Sequence, residues 1–133
     1  MYAQNYRSDF INSTSIYVST TGNDGNDGSI NSPLRTLSHA LDLVDENYAH
    51  IKMAEGTYHE TQIIELKNNI IIEGSYTNNW EKGENATIIY IDNLEAMGDH
   101  NQKIGFRSIN NENWHIEDIT IEVASATPSD RAS

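Results

Sequence analysis

Asn69-Ile70-Ile71-Ile72-Glu73-Gly74 and Asn113-Trp114-His115-Ile116-Glu117-Asp118 share the form Asn-x-x-Ile-Glu-(Gly or Asp). An apolar run precedes each of them, Ile63–Leu66 before the first and Ile104–Arg107 before the second, so the likeness extends beyond the motif. Further short runs lie around these: Ile51–Ala54, Thr87–Ile91 and Ile119–Val123, all separated by Gly, Asn and Asp. Runs this short suit strands. They sort into threes, first those starting at 51, 63 and 70, then 87, 104 and 114, with Ile119 opening a third set. Three short strands per repeat describe one coil of a parallel β-helix, which buries its inward side chains by stacking on the next coil. A small β-sandwich or mixed sheet also uses strands of this length and is the alternative. In the coil reading, segments 74–86 and 92–103 project as loops.

Composition agrees with many short strands. The 133 residues suffice for one domain and are few for two. Seventeen are Ile against six Leu and three Val, and sixteen are Asn. Ile is β-branched and fits strands, whereas Asn closes turns. Twenty acidic residues face eight basic ones, a net charge of −12. That balance opposes binding to nucleic acid and to anionic membranes. There is no apolar run long enough to span a bilayer, and Cys is absent, which removes disulfides and thiolate chemistry. The opening Met1-Tyr2-Ala3-Gln4 has no basic or apolar leader region, as expected for a chain starting near a mature N-terminus.

Residues 1–15 read as a flexible arm or short capping strand, and Ile16–Ser19 as the first strand. Thr21-Gly22-Asn23-Asp24-Gly25-Asn26-Asp27-Gly28 is a turn-rich loop. Ser32 is placed as an N-cap with Pro33 at the first helical position. Leu34, Leu37, Ala40, Leu41 and Val44 then form a helical stripe, predicting a helix over about 33–45 that frays at Asp45 and Glu46.

This order of features resembles the opening of the right-handed parallel β-helix proteins of the pectin-lyase-like superfamily. The residues that carry the likeness are Ile16–Asp24, Gly28, Ser32–Leu37 with Ala40-Leu41, the strand into Gly56-Thr57-Tyr58 with Glu60 beyond it, Ile70–Tyr76, and Trp114–Glu122. The resemblance implies an all-β fold: a right-handed parallel β-helix of about two coils plus the start of a third, with an N-terminal capping α-helix. Its core domain would be residues 16–124, followed by a polar tail or the start of a continuation over 125–133. Members of the superfamily carry more coils and include lyases, hydrolases, epimerases, adhesins and tailspikes, so the likeness speaks to fold and not to activity. Either this is the amino-terminal piece of a longer protein or another chain covers its open end.

Asp24 and Asp27, with Asn23 and Asn26, are hard oxygen donors of the type calcium uses, but no EF-hand register is present. The loop needs no metal to turn, so calcium is a candidate cofactor and not a required one. Glu55, Glu60, Glu65, Glu73, Glu117 and Glu122 invite a glycosidase reading, and neighbouring coils would bring Glu73 and Glu117 about 4.8 Å apart. The plainer expectation is that these are outward strand positions that solvate the fold. For a β-elimination lyase the candidate bases and cations are Arg35, Lys52, Lys67, Lys82, Lys103 and Arg107, and no spacing among them marks a site. His39, His50, His59, His100 and His115 have no zinc spacing. Tyr76 and Trp80 are the candidate carbohydrate-binding residues, because such rings stack on sugar faces. Trp114 reads as packing, and Asn12-Ser13-Thr14 and Asn85-Ala86-Thr87 fit the glycosylation sequon.

The expected function is the cap and scaffold segment of an extracellular or cell-surface β-helix protein whose parent processes polysaccharide as lyase or hydrolase. A complete active site is not expected in this chain. A non-catalytic adhesin or structural β-helix, or a carbohydrate-binding module, is the alternative. Expected partners are glycan and the remainder of the stack, with no nucleic acid and no membrane insertion.

Overall fold

The computed structural model describes residues 14–44, 48–62, 64–92, 106–107 and 113–123. Strand β1 (Thr14–Val18) leads into helix α1 (Leu37–Leu43), after which come β2 (Ala49–Ala54), β3 (Gly56–Glu60), β4 (Ile64–Glu65), β5 (Ile70–Tyr76), β6 (Thr87–Ile91), β7 (Phe106–Arg107), β8 (Trp114–Glu117) and β9 (Thr120–Val123). Three sheets result, ordered β1-β2-β5-β8, β3-β6-β9 and β4-β7, and every strand pair is parallel. After α1 the chain visits the sheets in a fixed order, so β2-β3-β4, β5-β6-β7 and β8-β9 form successive layers. Among the described residues the protein is all-β apart from one short helix.

The repeat read in the sequence is the register of β5 and β8 in the first sheet, and the runs that precede the two motifs pair in the third sheet in a register the motif does not give. Ile70 pairs with Trp114 and Glu73 with Glu117, while Ile64 pairs with Phe106. The grouping into threes, however, is shifted. Gly56–Glu60 is a strand that no apolar run announces, and it takes the middle place in the first layer. Only Tyr58 and Glu60 of β3 point inward, and polar Thr57 and His59 hide the alternation.

Inward rows cross the layers. Ile51 and Ile72 are fully buried one above the other, as are Tyr58 and Ile89. Tyr58 also donates its hydroxyl to the carbonyls of Ala54, at 2.7 Å, and Val18, at 3.2 Å. Burial pushes that hydroxyl well above its ordinary value. The third layer continues these rows with its inward side chains more exposed. Trp114, in register with the buried Ile70, and Ile121, in register with the buried Ile89, are each 40% exposed.

At the opposite end α1 forms a lid, burying Leu37, Ala40 and Leu41. The helix is shorter than the sequence suggested and starts later, with Thr36 and not Ser32 as its N-cap. Leu34 explains the difference: it bridges Val18 in parallel, its N–H bonds Tyr17 O and its carbonyl accepts from Ser19 N–H. Pro33 is therefore held in extended chain along β1. Asp45 and Glu46, where fraying was expected, lie outside the described residues, as do 1–13 of the expected arm, residue 124 and the expected tail 125–133. Thr14 and Ser15 belong to β1. Segment 74–86 does not project as a loop from its start. Gly74–Tyr76 completes β5, and a hairpin closed by a Tyr76–Lys82 bridge follows. Segment 93–103 lies outside the described residues.

Candidate functional site

Alternation puts Tyr17, Lys52, Glu73 and Glu117 in one outward row across the first sheet, since each is in register with the next. Glu73 is nevertheless only 7% exposed. One carboxylate oxygen accepts from His50 Nε2 at 2.8 Å and from the Tyr76 hydroxyl at 3.0 Å. The other faces Lys82 Nζ at 3.1 Å. Burial opposes the Glu73 charge, but the hydrogen bonds from Lys82 and His50, the Lys82 charge and the Tyr76 hydroxyl outweigh it and hold the carboxyl below its ordinary value. Lys82 also donates to Gly74 O and to Asp118 Oδ2, each at 2.6 Å. Partial burial works against the ammonium, yet its bonds to Asp118 and Glu73 keep it above its ordinary value.

The hairpin that delivers Lys82 also delivers Trp80. Trp80 N–H bonds Thr77 O and Thr77 N–H bonds Glu81 O, while Thr77 Oγ1 accepts from the N–H groups of Asn79 and Glu81. Trp80 sits at φ 63, and two neighbours of Lys82, Ser75 at φ 64 and Asp118 at φ 58, share that left-handed conformation. Three strained non-glycine residues around one lysine are the kind of concentration that functional sites show. The Ser75 strain accompanies an extra residue in β5, where the register to β2 shifts between Lys52 and Ala54.

Tyr76 and Trp80, the candidate sugar-stacking pair, come together with ring centroids 6.2 Å apart. Tyr17 joins them, edge-on to Trp80 at 4.8 Å. Lys52 Nζ lies 5.5 Å from the Tyr17 ring centre and 5.9 Å from that of Tyr76, and Lys82 Nζ lies 4.9 Å from Tyr76. Tyr76 is only 7% exposed, so it supports the cluster, while half-exposed Tyr17 and Trp80 form its surface. The sequence did not single out Tyr17 or His50 as members of this face. Once Asn69 is aligned with Asn113, the outward positions follow, but His50 and Tyr17 need the register to β2 and β1.

Asp24 and Asp27 are engaged by different partners. Asp24 accepts from the N–H groups of Arg35 and Thr36 and from the Thr36 hydroxyl, and Thr36 Oγ1 in turn accepts from His39 N–H. Burial works against its charge, but these bonds outweigh it and hold the carboxyl below the ordinary range. Asp27 is exposed and accepts from Ser29 N–H and hydroxyl. The Asp24 carboxylate thus faces donors at the start of α1. Among the described residues, the group with donor atoms close enough to hold a metal is Glu73, Glu117 and Asp118, within 4.8 Å of one another. Lys82 already supplies a positive charge to two of these three.

Other candidates have structural partners. Glu60 was expected on an outward position but points inward, 3% exposed, and accepts from Leu37 N–H at 2.9 Å. Lys67 Nζ donates to Leu41 O at 2.6 Å near the end of α1. His59 packs edge-on to Tyr90, and His115 lies 3.2 Å from Glu117. Asn85, in the second sequon, donates to Glu55, while Thr87 is buried and bonds Ala54 O. Asn12-Ser13, His100, Lys103 and the Arg107 side chain lie outside the described residues. Two clefts lie away from this face. One of about 240 Å³ is lined by Ser38, Asp42 and Lys67, and one of about 310 Å³ by Ile16, Gly28 and Leu43. Among the described residues no helix is long and apolar enough to cross a membrane.

Comparison with curated proteins and with solved structures finds no match. Residues 20–127 match the family described as "Protein of unknown function (DUF1565)". The matched span begins just after β1 and runs past β9, and so takes in α1 and all three layers. By that match over most of its length, the chain belongs to the DUF1565 family.

Proposed function

We propose that this chain is the amino-terminal cap and first coils of a right-handed parallel β-helix at the cell surface or outside the cell, and that its Tyr17–Trp80 face binds glycan. The observation that carries the scaffold reading is the contrast between its ends. Helix α1 lids the first layer, while inward-facing Trp114 and Ile121 of the third are 40% exposed, as a surface awaiting a further coil would be. The family match, to a family associated with β-helix proteins, supports the same reading. The glycan reading rests on half-exposed rings beside a lysine, an arrangement that offers flat apolar area with polar edges. Glycan and the rest of the stack are the proposed partners, and a polysaccharide lyase or hydrolase the proposed parent, its catalytic groups on further coils.

A non-catalytic surface protein is the second reading, and one observation favours binding over catalysis for this face alone. Glu73 is held ionised by three donors and Lys82 is held protonated by two carboxylates, the reverse of what a general acid and a general base require. Both readings meet one test: incubation of the chain with polygalacturonate, alginate and chondroitin sulfate. Binding without unsaturated products, weakened by Trp80→Ala, is the expected result. Turnover by this chain would overturn the scaffold assignment, and binding unchanged in Trp80→Ala would remove the aromatic face.

A further inference from the structure

Lys82 belongs to the hairpin that carries Trp80, but its partners belong to two different layers. Gly74 O and the Glu73 carboxylate come from β5 in the second layer, and Asp118 from the bend between β8 and β9 in the third. The hairpin itself has modest means of holding Trp80. Its turn is closed by a few backbone bonds, and the ring rests on Tyr17 of β1 and Tyr76 of β5. We infer that Lys82 is a positioning residue, which clamps the Trp80 hairpin across the second and third layers and so makes the aromatic face depend on the docking of the third layer. Asp118 takes part through its left-handed backbone, at φ 58, and through a carboxylate whose partner is the lysine of another element. The charged groups that face the clamp are Glu73 and His50 from β5 and β2, Glu117 and His115 from β8, and Lys52 beside Tyr76. Glu117 is close to both clamped carboxylates, so loss of the ammonium leaves three acidic groups facing one another. Like charges at that spacing repel and push the third layer from the second.

This clamp rests on the aromatic-face reading only for its ligand, and its test reads the hairpin directly. In a Trp114→Phe background, Trp80 is the sole indole. Lys82→Met is expected to move Trp80 emission to longer wavelength and to raise its quenching by acrylamide, and Lys82→Arg to restore both. Asp118→Asn, which keeps a residue tolerant of left-handed backbone, is expected to produce the same change in smaller measure. Where the parent protein binds one of the three polymers, Lys82→Met weakens binding about threefold to tenfold. Unchanged Trp80 emission and quenching in both Lys82→Met and Asp118→Asn would overturn the clamp, whatever the polymers do. Absence of polymer binding with altered emission would overturn the glycan reading and leave the clamp standing.

Discussion

Asn113 donates its side-chain amide to the side-chain carbonyl of Asn69, 2.8 Å away. The Asn113 backbone carbonyl also accepts from the N–H groups of Asn69 and Ile70, at 2.6 and 3.1 Å. These are the first residues of the two matching motifs, and they tie the turn before β8 to the turn before β5. An Asn side chain has both a donor and an acceptor, so identical residues in successive layers satisfy each other.

The two asparagines are not equivalent, because Asn69 is at φ 63, a conformation that asparagine tolerates and alanine resists. Asn113→Ala should lose the amide bond alone, about 1 kcal/mol. Asn69→Ala should lose that bond and add left-handed strain, about 2–3 kcal/mol in total. Urea unfolding of both variants checks the order, and equal losses would contradict it.

What was legible in the sequence was the vertical relationship between layers. Asn69 over Asn113 and Glu73 over Glu117 followed from one motif match, because parallel in-register stacking repeats residue types directly, whereas the pairing of Ile64 with Phe106 has a different step and did not follow from it. What was not legible was the division within a layer. Gly56–Glu60 buries two side chains and exposes the rest, and one of the two buried is a glutamate. Helix boundaries failed for a similar reason: Pro33 is a good first helical residue, but Leu34 pairs with β1 instead. Within the candidate site, Tyr76 and Trp80 were visible as aromatics in a polar stretch. Lys82 was visible only as one of six candidate bases and cations with no spacing to mark it, since its partners are distant in sequence.

The inward row Tyr58–Ile89–Ile121 gives a graded test of layering. Ile89→Ala removes a fully buried side chain and should cost about 2–5 kcal/mol. Ile121→Ala, at 40% exposure, should cost about 1 kcal/mol or less. Thermal unfolding of the two variants compares them, and a penalty at Ile121 equal to that at Ile89 would mean that the third layer is covered.

Gly74 lies where the second layer meets the third at close range. A Cβ there would stand 2.5 Å from Asp118 O and 2.7 Å from Thr87 Cβ. Gly74→Ala should therefore destabilise by about 1–3 kcal/mol and loosen β8 and β9 first. Hydrogen exchange resolves this: faster exchange confined to the third layer is the expected pattern, and unchanged protection there contradicts it.

Two acids at the start of α1 should give opposite pH responses. Asp24 is held below its ordinary value of 3.8, so its contribution is complete above that pH and is lost as pH falls through the lowered folded value. Glu60 is raised above 4.5, chiefly by burial, so the fold binds its proton more tightly than the unfolded chain does. Its contribution is complete below 4.5 and is lost as pH rises through the raised value. Asp24→Asn should thus lose stability at neutral pH and approach the parent in acid. Glu60→Gln should gain on the parent as pH rises from 4.5. Denaturant midpoints across that range check both signs.

The stacking of layers in parallel register is tested most directly by engineered disulfides, which the absence of native cysteine permits. Thr57, Ile88 and Thr120 form an outward in-register row across β3, β6 and β9. Cysteines at Thr57 and Ile88, or at Ile88 and Thr120, should sit about 5 Å apart at Cα and oxidise to intramolecular disulfides. Cysteines at Thr57 and Ile89, which face opposite sides, should remain reduced. Ready oxidation of the shifted pair, or none in either in-register pair, would contradict the layered fold.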